Sequence, residues 1–274
     1  MSTYFQGKRV AITGAGDGMG RELAIQLNAQ GCDLWLCDIS EERLQETHAL
    51  LNEDDGAVHL AVVDCGDKDA IDGWALHVAD ATTSIDALFN NAGVGYAARF
   101  EHATEENYQW LMNVNFWGVV WGSRAFLPLL TKAPVGHLVN LSSIFGMIGV
   151  PTQSAYNAAK FAVRGFSESL VAEYHGTSIR VSCVHPGGIA TNIARRARAD
   201  SDQPSTTPDE RDRQFKQHTP TTPKQAASII LKGVSRSKPQ IMVGNDAKFM
   251  QWVSRLFPVG YHTFLRKFLD IELV

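Results

Sequence analysis

Short apolar, β-rich stretches recur along the chain, and helical patterns fill the intervals between them. The strand-like runs fall near residues 8–13, 33–38, 57–63, 85–89, 136–142, 178–184 and 240–243, and include CDLWLCD, VHLAVVD and HLVNL. Between them apolar positions return with helical spacing, as at Leu23, Ala24 and Leu27. Strands alternating with helices predict parallel βαβ units: one doubly wound α/β sheet of about seven strands with helices on both faces. Ligands of such sheets bind at the carboxyl ends of the strands. Gly14, Asp38, Asp64, Asn90, Ser143 and Pro186 all stand at predicted carboxyl ends, so the candidate chemistry converges on one edge of the sheet.

The pattern breaks down between Ile189 and about Pro223, where ARRARADSDQPSTTPDERDRQFKQHTP is polar, charged and punctuated by proline. Such a stretch reads as a solvated loop. Its Arg195, Arg196 and Arg198 could meet an anionic substrate, although a run of charges is more often a solvated face. The segment 247–274 is aromatic and basic, with Phe249, Trp252, Leu256, Phe257, Tyr261, Phe264, Leu265 and Phe268. Packing over a substrate pocket or between subunits is the simpler expectation. Peripheral membrane contact through Arg255, Arg266 and Lys267 is the alternative, weakened by Pro258 and Gly260, which would break the helix.

Composition narrows the classes. The 274 residues are 45% hydrophobic, enough for one sizeable core and a single domain spanning 1–274. The net charge of −4 supplies no basic field for nucleic acid. Cys32, Cys37, Cys65 and Cys183 make no CxxC or evenly spaced framework, and point to free thiols in a reducing compartment. The nine histidines show no HExxH or Cys/His clustering, so no metal site is expected. With no signal peptide and no apolar run of membrane-spanning length, a cytoplasmic protein is the expectation.

Near the amino end, GKRVAITGAGDGMGRELAIQLNAQG runs from a strand through Gly14, Gly16, Gly18 and Gly20 into a helix. Glycines there permit a tight turn and let backbone N–H groups approach a pyrophosphate at the helix N-terminus. Asp38 ends the second strand, where a dinucleotide fold places a carboxylate for the adenosine ribose hydroxyls. It would repel a 2′-phosphate, Ile39 to Glu42 contain no basic residue, and the loop carries Asp17 rather than a cation. NAD(H) is therefore expected over NADP(H). Asp38 could instead cap the following helix, a role that Ser40 fits better.

A second constellation lies in SSIFGMIGVPTQSAYNAAK. Tyr156 and Lys160 are four residues apart on a predicted helix and share one face. A nearby ammonium lowers a phenol's pKa from its ordinary value of about 10 and makes it a usable general acid/base. Ser143, just past a strand, could reach the helix and hydrogen-bond a substrate oxygen.

Together these residues resemble the short-chain dehydrogenase/reductase family over most of the chain. TGAGDGMG fits its cofactor loop at Thr13, Gly14, Gly18 and Gly20, with Asp17 and Met19 in contact. Asp64 fits the acidic contact to the adenine amino group. NNAG, Asn90 to Gly93, fits the motif along the cofactor, including Asn91 and Gly93. HPGGIAT fits the PG motif, with Pro186, Gly187, Ile189 and Thr191 around the nicotinamide. Ser143, Tyr156 and Lys160 fit the catalytic set, with Tyr156 and Lys160 also touching the cofactor.

The resemblance assigns further roles. Asn115 lies where a helix kinks and holds a water linking Lys160 to solvent. The stretch 189–223 becomes a mobile lid, partly helical near Ile193–Ala199. The helices bearing Tyr156 and Trp110, Trp117 and Trp121 would pair in a homodimer or homotetramer, the tryptophans otherwise being core residues. The expected fold is a single Rossmann-type domain, and the expected function is NAD(H)-dependent interconversion of a secondary alcohol and a ketone. Tyr96, Ile144, Phe145, Gln153, Gly188 and Ile193 are expected to line a mainly apolar pocket, with Val94, Gly95 and Val150 beside them. An NADP(H) carbonyl reductase and a non-catalytic NAD(H)-binding regulator are the alternatives.

Overall fold

The computed structural model describes residues 3–200, 207–217 and 219–263. The strands are β1 (Arg9–Thr13), β2 (Asp33–Asp38), β3 (Val58–Val62), β4 (Ala87–Asn90), β5 (Tyr96–Ala97), β6 (Gly136–Leu141), β7 (Ile179–Pro186), β8 (Arg198–Ala199) and β9 (Gln240–Val243). The helices are α1 (Gly18–Asn28), α2 (Glu41–His48), α3 (Lys68–Ala81), α4 (Glu105–Met112), α5 (Gly118–Leu130), α6 (Ser154–Glu173), α7 (Pro208–Gln217), α8 (Pro223–Val234) and α9 (Asn245–Leu256). Seven strands form one parallel sheet in the order β3-β2-β1-β4-β6-β7-β9, as the alternating pattern predicts.

Residues alternate between the two faces of each strand. Val10, Ile12, Leu34, Leu36, Ala87, Phe89, Val139, Leu141 and Val184 point to one face, under α1 and α8. Ala11, Trp35, Cys37, Leu88, Leu138 and Val181 point to the other, under α3 and α5. Both faces are dry, which is why these strands read as continuous apolar runs. Helix starts are capped by side chains: Asp17 accepts from Gly18 N, Ser40 from Arg43 N, and Thr222 forms a capping box with Gln225.

A buried polar seam crosses the middle of the sheet. Asn90 Nδ2 donates to Asn140 Oδ1 (2.9 Å) and Ser123 Oγ (3.0 Å), and Asn140 Nδ2 donates to Ser167 Oγ (3.1 Å). It fixes α5 and α6 to β4 and β6 through side chains that have no water to fall back on.

Two predicted segments differ from expectation. Residues 192–196 form turns, not a helix over Ile193–Ala199, and are followed by β8, which pairs with β5. Tertiary contacts hold this stretch: Arg198 lies 3.8 Å over the Trp110 ring and donates to Asn107 Oδ1 (3.0 Å). Two-residue strands carry no readable period, so the β5–β8 pair was invisible in the sequence. At the carboxyl end, α9 buries Ala247, Met250 and Val253 and leaves Trp252 and Leu256 exposed. Gly149 N donates to Tyr261 Oη at 3.0 Å, so the segment packs against residues that follow Ser143. Phe264, Leu265, Arg266, Lys267 and Phe268 lie outside the described residues. Among the described residues no helix is long and apolar enough to cross a membrane.

Asn90→Ala should lower stability by about 1–3 kcal/mol, because it strands the Asn140 amide oxygen in a dry interior. The midpoint of urea unfolding would show the loss, and an unchanged midpoint would mean that the seam contributes nothing.

Candidate functional site

The crevice opens at the carboxyl ends of β1 and β4. Asn91 Nδ2 donates to the carbonyls of Thr13 (2.9 Å) and Gly14 (3.0 Å), and Thr13 Oγ1 accepts from Asn91 N and Ala92 N. Gly14 has φ +65°, and a Cβ there would meet Ala92 Cα at 2.8 Å. A Cβ on Gly20 would collide with the Gly14 carbonyl. The loop therefore presents backbone at the start of α1, a cradle suited to the diphosphate of a dinucleotide. Gly18 abuts the Thr191 side chain, while Met19 packs against the core.

Asp38 is buried beside this loop. Its Oδ2 accepts from Gly16 N (3.0 Å), and its Oδ1 accepts from Ser40 N (3.0 Å) and from Arg43 Nη2 (2.6 Å). Arg43 is the basic residue that a search of the four positions after Asp38 does not reach. Asp64, exposed just past β3, accepts from Gly66 N at 2.8 Å.

On the other side of the crevice, α6 carries Tyr156 and Lys160 on one face. Ser143 Oγ accepts from Phe145 N (3.1 Å) and is hydrogen-bonded to Tyr156. Lys160 is buried, with Nζ 5.6 Å from the Tyr156 ring centre, and donates to the Leu141 carbonyl (2.9 Å). Burial pushes the phenol up to about 12, against a lowering by the Ser143 hydrogen bond. This corrects the downward shift expected from Lys160: the ammonium is spent on a strand carbonyl, and desolvation dominates. Burial also pulls Lys160 down to about 8.

Asn115 sits in a π turn, Asn113–Trp117, between α4 and α5, where the sequence placed a kink. Its Oδ1 accepts from Val94 N (2.8 Å) and its Nδ2 donates to Val94 O (2.9 Å). The side chain is first a brace. Gly93 lies between it and the lysine: a Cβ there would stand 3.2 Å from Asn115 Oδ1 and 3.6 Å from Lys160 Nζ.

The PG segment follows β7, which ends at Pro186. Ala190 N donates to Thr221 O and Thr221 N to Gly188 O, a parallel bridge at Ile189. The bridge uses groups on either side of Ile189, so its own N–H points away from Thr221. The Ile189 side chain is buried in the core, which leaves only its backbone to meet a cofactor. Gly188 N donates to Asp246 Oδ2 (2.6 Å), and a side chain on Gly187 would strike the same carboxylate.

The expected pocket residues divide. Phe145 meets Tyr156 edge-on with ring centres 6.1 Å apart, and Ile144 packs with Met147, Ile148 and Met250. Gln153 and Ile193 are half-buried, the latter with its carbonyl against Gly95. Tyr96 departs from expectation: it is 2% exposed, and its hydroxyl donates to Asp200 and accepts from Thr104 N (3.1 Å). It anchors the covering segment rather than presenting its hydroxyl to a ligand.

That segment is clasped to the glycine loop. Asp17 accepts from Asn192 Nδ2 (2.9 Å) and pairs with Arg196 (2.7 Å). Burial alone would raise the Asp17 carboxyl, but hydrogen bonds from Asn192 and Gly18 and the charges of Arg196 and Arg21 outweigh it and hold it below its usual range. Arg195 pairs with Asp209 (3.1 Å). With Arg198 on Trp110, all three arginines have partners within the chain.

Sequence reasoning missed several residues that hold the site. Asn157 Nδ2 donates to the carbonyls of Phe145 and Ile148 (both 2.7 Å), and its Oδ1 accepts from Val150 N (3.0 Å). His185, fully buried, donates from Nδ1 to the Ser143 carbonyl (3.1 Å), and burial lowers its pKa to about 4, so it stays neutral. Its place beside Pro186 was the one available signal.

Lys160 generates a prediction before any activity is assigned. Its folded value lies below its ordinary 10.5, so between about 8 and 10.5 the unfolded chain binds more protons and stability rises with pH. The full displacement corresponds to about 3 kcal/mol. Lys160→Met should therefore melt above wild type at pH 7, by a margin that shrinks toward pH 10 in calorimetric scans. A margin independent of pH would contradict the buried charge.

Comparison with known proteins adds the context. The family model described as short chain dehydrogenase matches residues 8–202. A Mycobacterium tuberculosis protein, SadH, named only as an oxidoreductase, is 38% identical over 260 residues, covering 94% of this chain and 93% of that protein. A 3-ketodihydrosphingosine reductase of Bacteroides thetaiotaomicron is 37% identical over 184 residues, covering 67% of this chain and 65% of that protein. The crystal structure of a short-chain dehydrogenase/reductase from Burkholderia phymatum in complex with NAD matches with TM-score 0.84 and 26% identity, over 93% of this chain and 95% of that one.

Proposed function

The chain belongs to the short-chain dehydrogenase/reductase family of oxidoreductases, and from that premise we propose that it interconverts a ketone and a secondary alcohol with NAD(H). The observation that carries this reading is the Ser143–Tyr156 hydrogen bond beside buried Lys160, at the mouth of a crevice whose other wall is the glycine loop. When bound, the nicotinamide supplies the hydride chemistry. Tyr156 gives its phenolic proton to the carbonyl oxygen in reduction and takes the hydroxyl proton in oxidation. Ser143 hydrogen-bonds that same oxygen as its charge changes. Lys160 holds the ribose hydroxyls, and Asn115 keeps Val94 in place beside them.

A phenol held near 12 donates a proton readily to a developing alkoxide and seldom stands ready as phenolate at neutral pH. Ketone reduction is therefore the direction this geometry favours there. Phe145, Ile144 and Met147 support an apolar substrate, as does the relative named as a reductase of 3-ketodihydrosphingosine. Asp38 supports NAD(H). Exposed Trp117 and Phe161, at 41% and 40%, support self-association through the α5 and α6 faces.

Two measurements test the reading. Tyr156→Phe should bind NADH by fluorescence titration yet lose about 10²–10⁴ in kcat; turnover near wild type would remove Tyr156 from the mechanism. Alcohol oxidation should climb with pH from 7 to 10 without a plateau, because the required phenolate is scarce until about pH 12. A plateau below pH 8 would mean that the phenol titrates far lower during turnover.

A further inference from the structure

The adenosine end of the crevice holds a charge pair. Arg43 Nη2 donates to Asp38 Oδ1 at 2.6 Å, and the carboxylate side chain is only 8% exposed. The geometry is locally enforced. Ser40 caps α2, Arg43 N bonds back to Ser40 Oγ (3.3 Å), and Arg43 thereby sits one turn from the end of β2. A Cβ on Gly16 would come within 2.8 Å of both Arg43 Cβ and Asp38 Oδ2, so glycine loop, carboxylate and arginine meet at one point. Arg43 Nε is buried without a hydrogen-bond partner.

A solitary carboxylate at this point would repel a 2′-phosphate through its full charge. A carboxylate ion-paired at 2.6 Å presents a dipole, and the guanidinium retains N–H groups beyond the one used on Asp38. Those groups match a phosphate in planar, bidentate fashion, which a lysine cannot reproduce. The pair therefore faces the ribose with both an acceptor for hydroxyls and donors for an anion.

We propose that Arg43 sets how strongly this protein discriminates between NAD(H) and NADP(H), by masking the Asp38 charge and offering donors to a 2′-phosphate, so that NAD(H) is preferred while NADP(H) is still accepted. The proposal rests on the NAD(H) reading for its direction and on the Asp38–Arg43 geometry for its substance.

The test is the ratio of kcat/KM for NADH to that for NADPH, with one reducible ketone, in wild type, Arg43→Leu, Asp38→Asn and the double variant. Arg43→Leu is expected to raise the ratio by at least about tenfold. Asp38→Asn is expected to lower it by at least about tenfold when Arg43 is present and by much less in the Arg43→Leu background, since the freed guanidinium is what recognises the phosphate. An unchanged ratio in Arg43→Leu, or an equal Asp38→Asn shift in both backgrounds, would overturn the role of Arg43. Should Arg43→Leu not fold, Arg43→Lys keeps the charge but loses the fork, and it too must raise the ratio. A wild-type preference for NADPH would sink the NAD(H) reading alone; the Arg43 effect is still read from the variants.

Discussion

The structure depends on the reversal of winding between β1 and β4. The chain runs outward from β1 to β3, then crosses to the other side at β4, so the loops leaving β1 and β4 part in opposite directions and leave a crevice. Backbone polar groups exposed there need partners. Thr13 and Asn91 supply them, by tying both strand ends to the glycine loop. Gly93, two residues on, can then approach Asn115 and Lys160 closely. The cofactor side and the acid/base side of the crevice are thus set by one cross-strand connection. Displacing Asn91 would move both.

On the acid/base side, stability and chemistry oppose each other. Lys160 is buried with its charge, against a desolvation penalty that only the Leu141 carbonyl and its surroundings offset. The loop after β6 is held by side chains rather than by regular structure: Asn157 grips Phe145, Ile148 and Val150, His185 holds the Ser143 carbonyl, and Ser142 Oγ donates to Lys160 O (2.8 Å). Each contact fixes Ser143 relative to Tyr156 without touching the reacting atoms. The site is rigid because its supports are buried.

How much of this was legible in the sequence follows from the range of each interaction. The sheet was readable because strands buried on both faces leave apolar runs, and the glycine loop because a positive φ at Gly14 and a blocked Cβ at Gly20 restrict residue type. Tyr156 and Lys160 were readable through helical spacing. The phenol's pKa was not, because burial outweighs the neighbour that spacing reveals. Arg43 was missed for a related reason: the search followed the strand's end residue by residue, whereas the turn into α2 brings position 43 back onto Asp38. Tyr96 with Asp200 and Gly188 with Asp246 join residues far apart in sequence, and no local pattern encodes such pairs.

The covering segment shows why its sequence lacks an apolar period. It is fastened by Asn192 and Arg196 to Asp17, by Asp200 to Tyr96, and by Arg198 to Trp110. The Asp17 pair is partly solvated, with Asp17 and Arg196 side chains 22% and 47% exposed. Such contacts contribute at most about 1 kcal/mol each, so a cover fastened by a few of them can open at little cost. An apolar strip along the same stretch would seal the crevice and slow the exchange of substrate and cofactor. Asp17 also caps α1, at the start of the phosphate-facing loop. One carboxylate therefore belongs to both walls, and any anion reaching the N-terminus of α1 must share the field that holds the cover down.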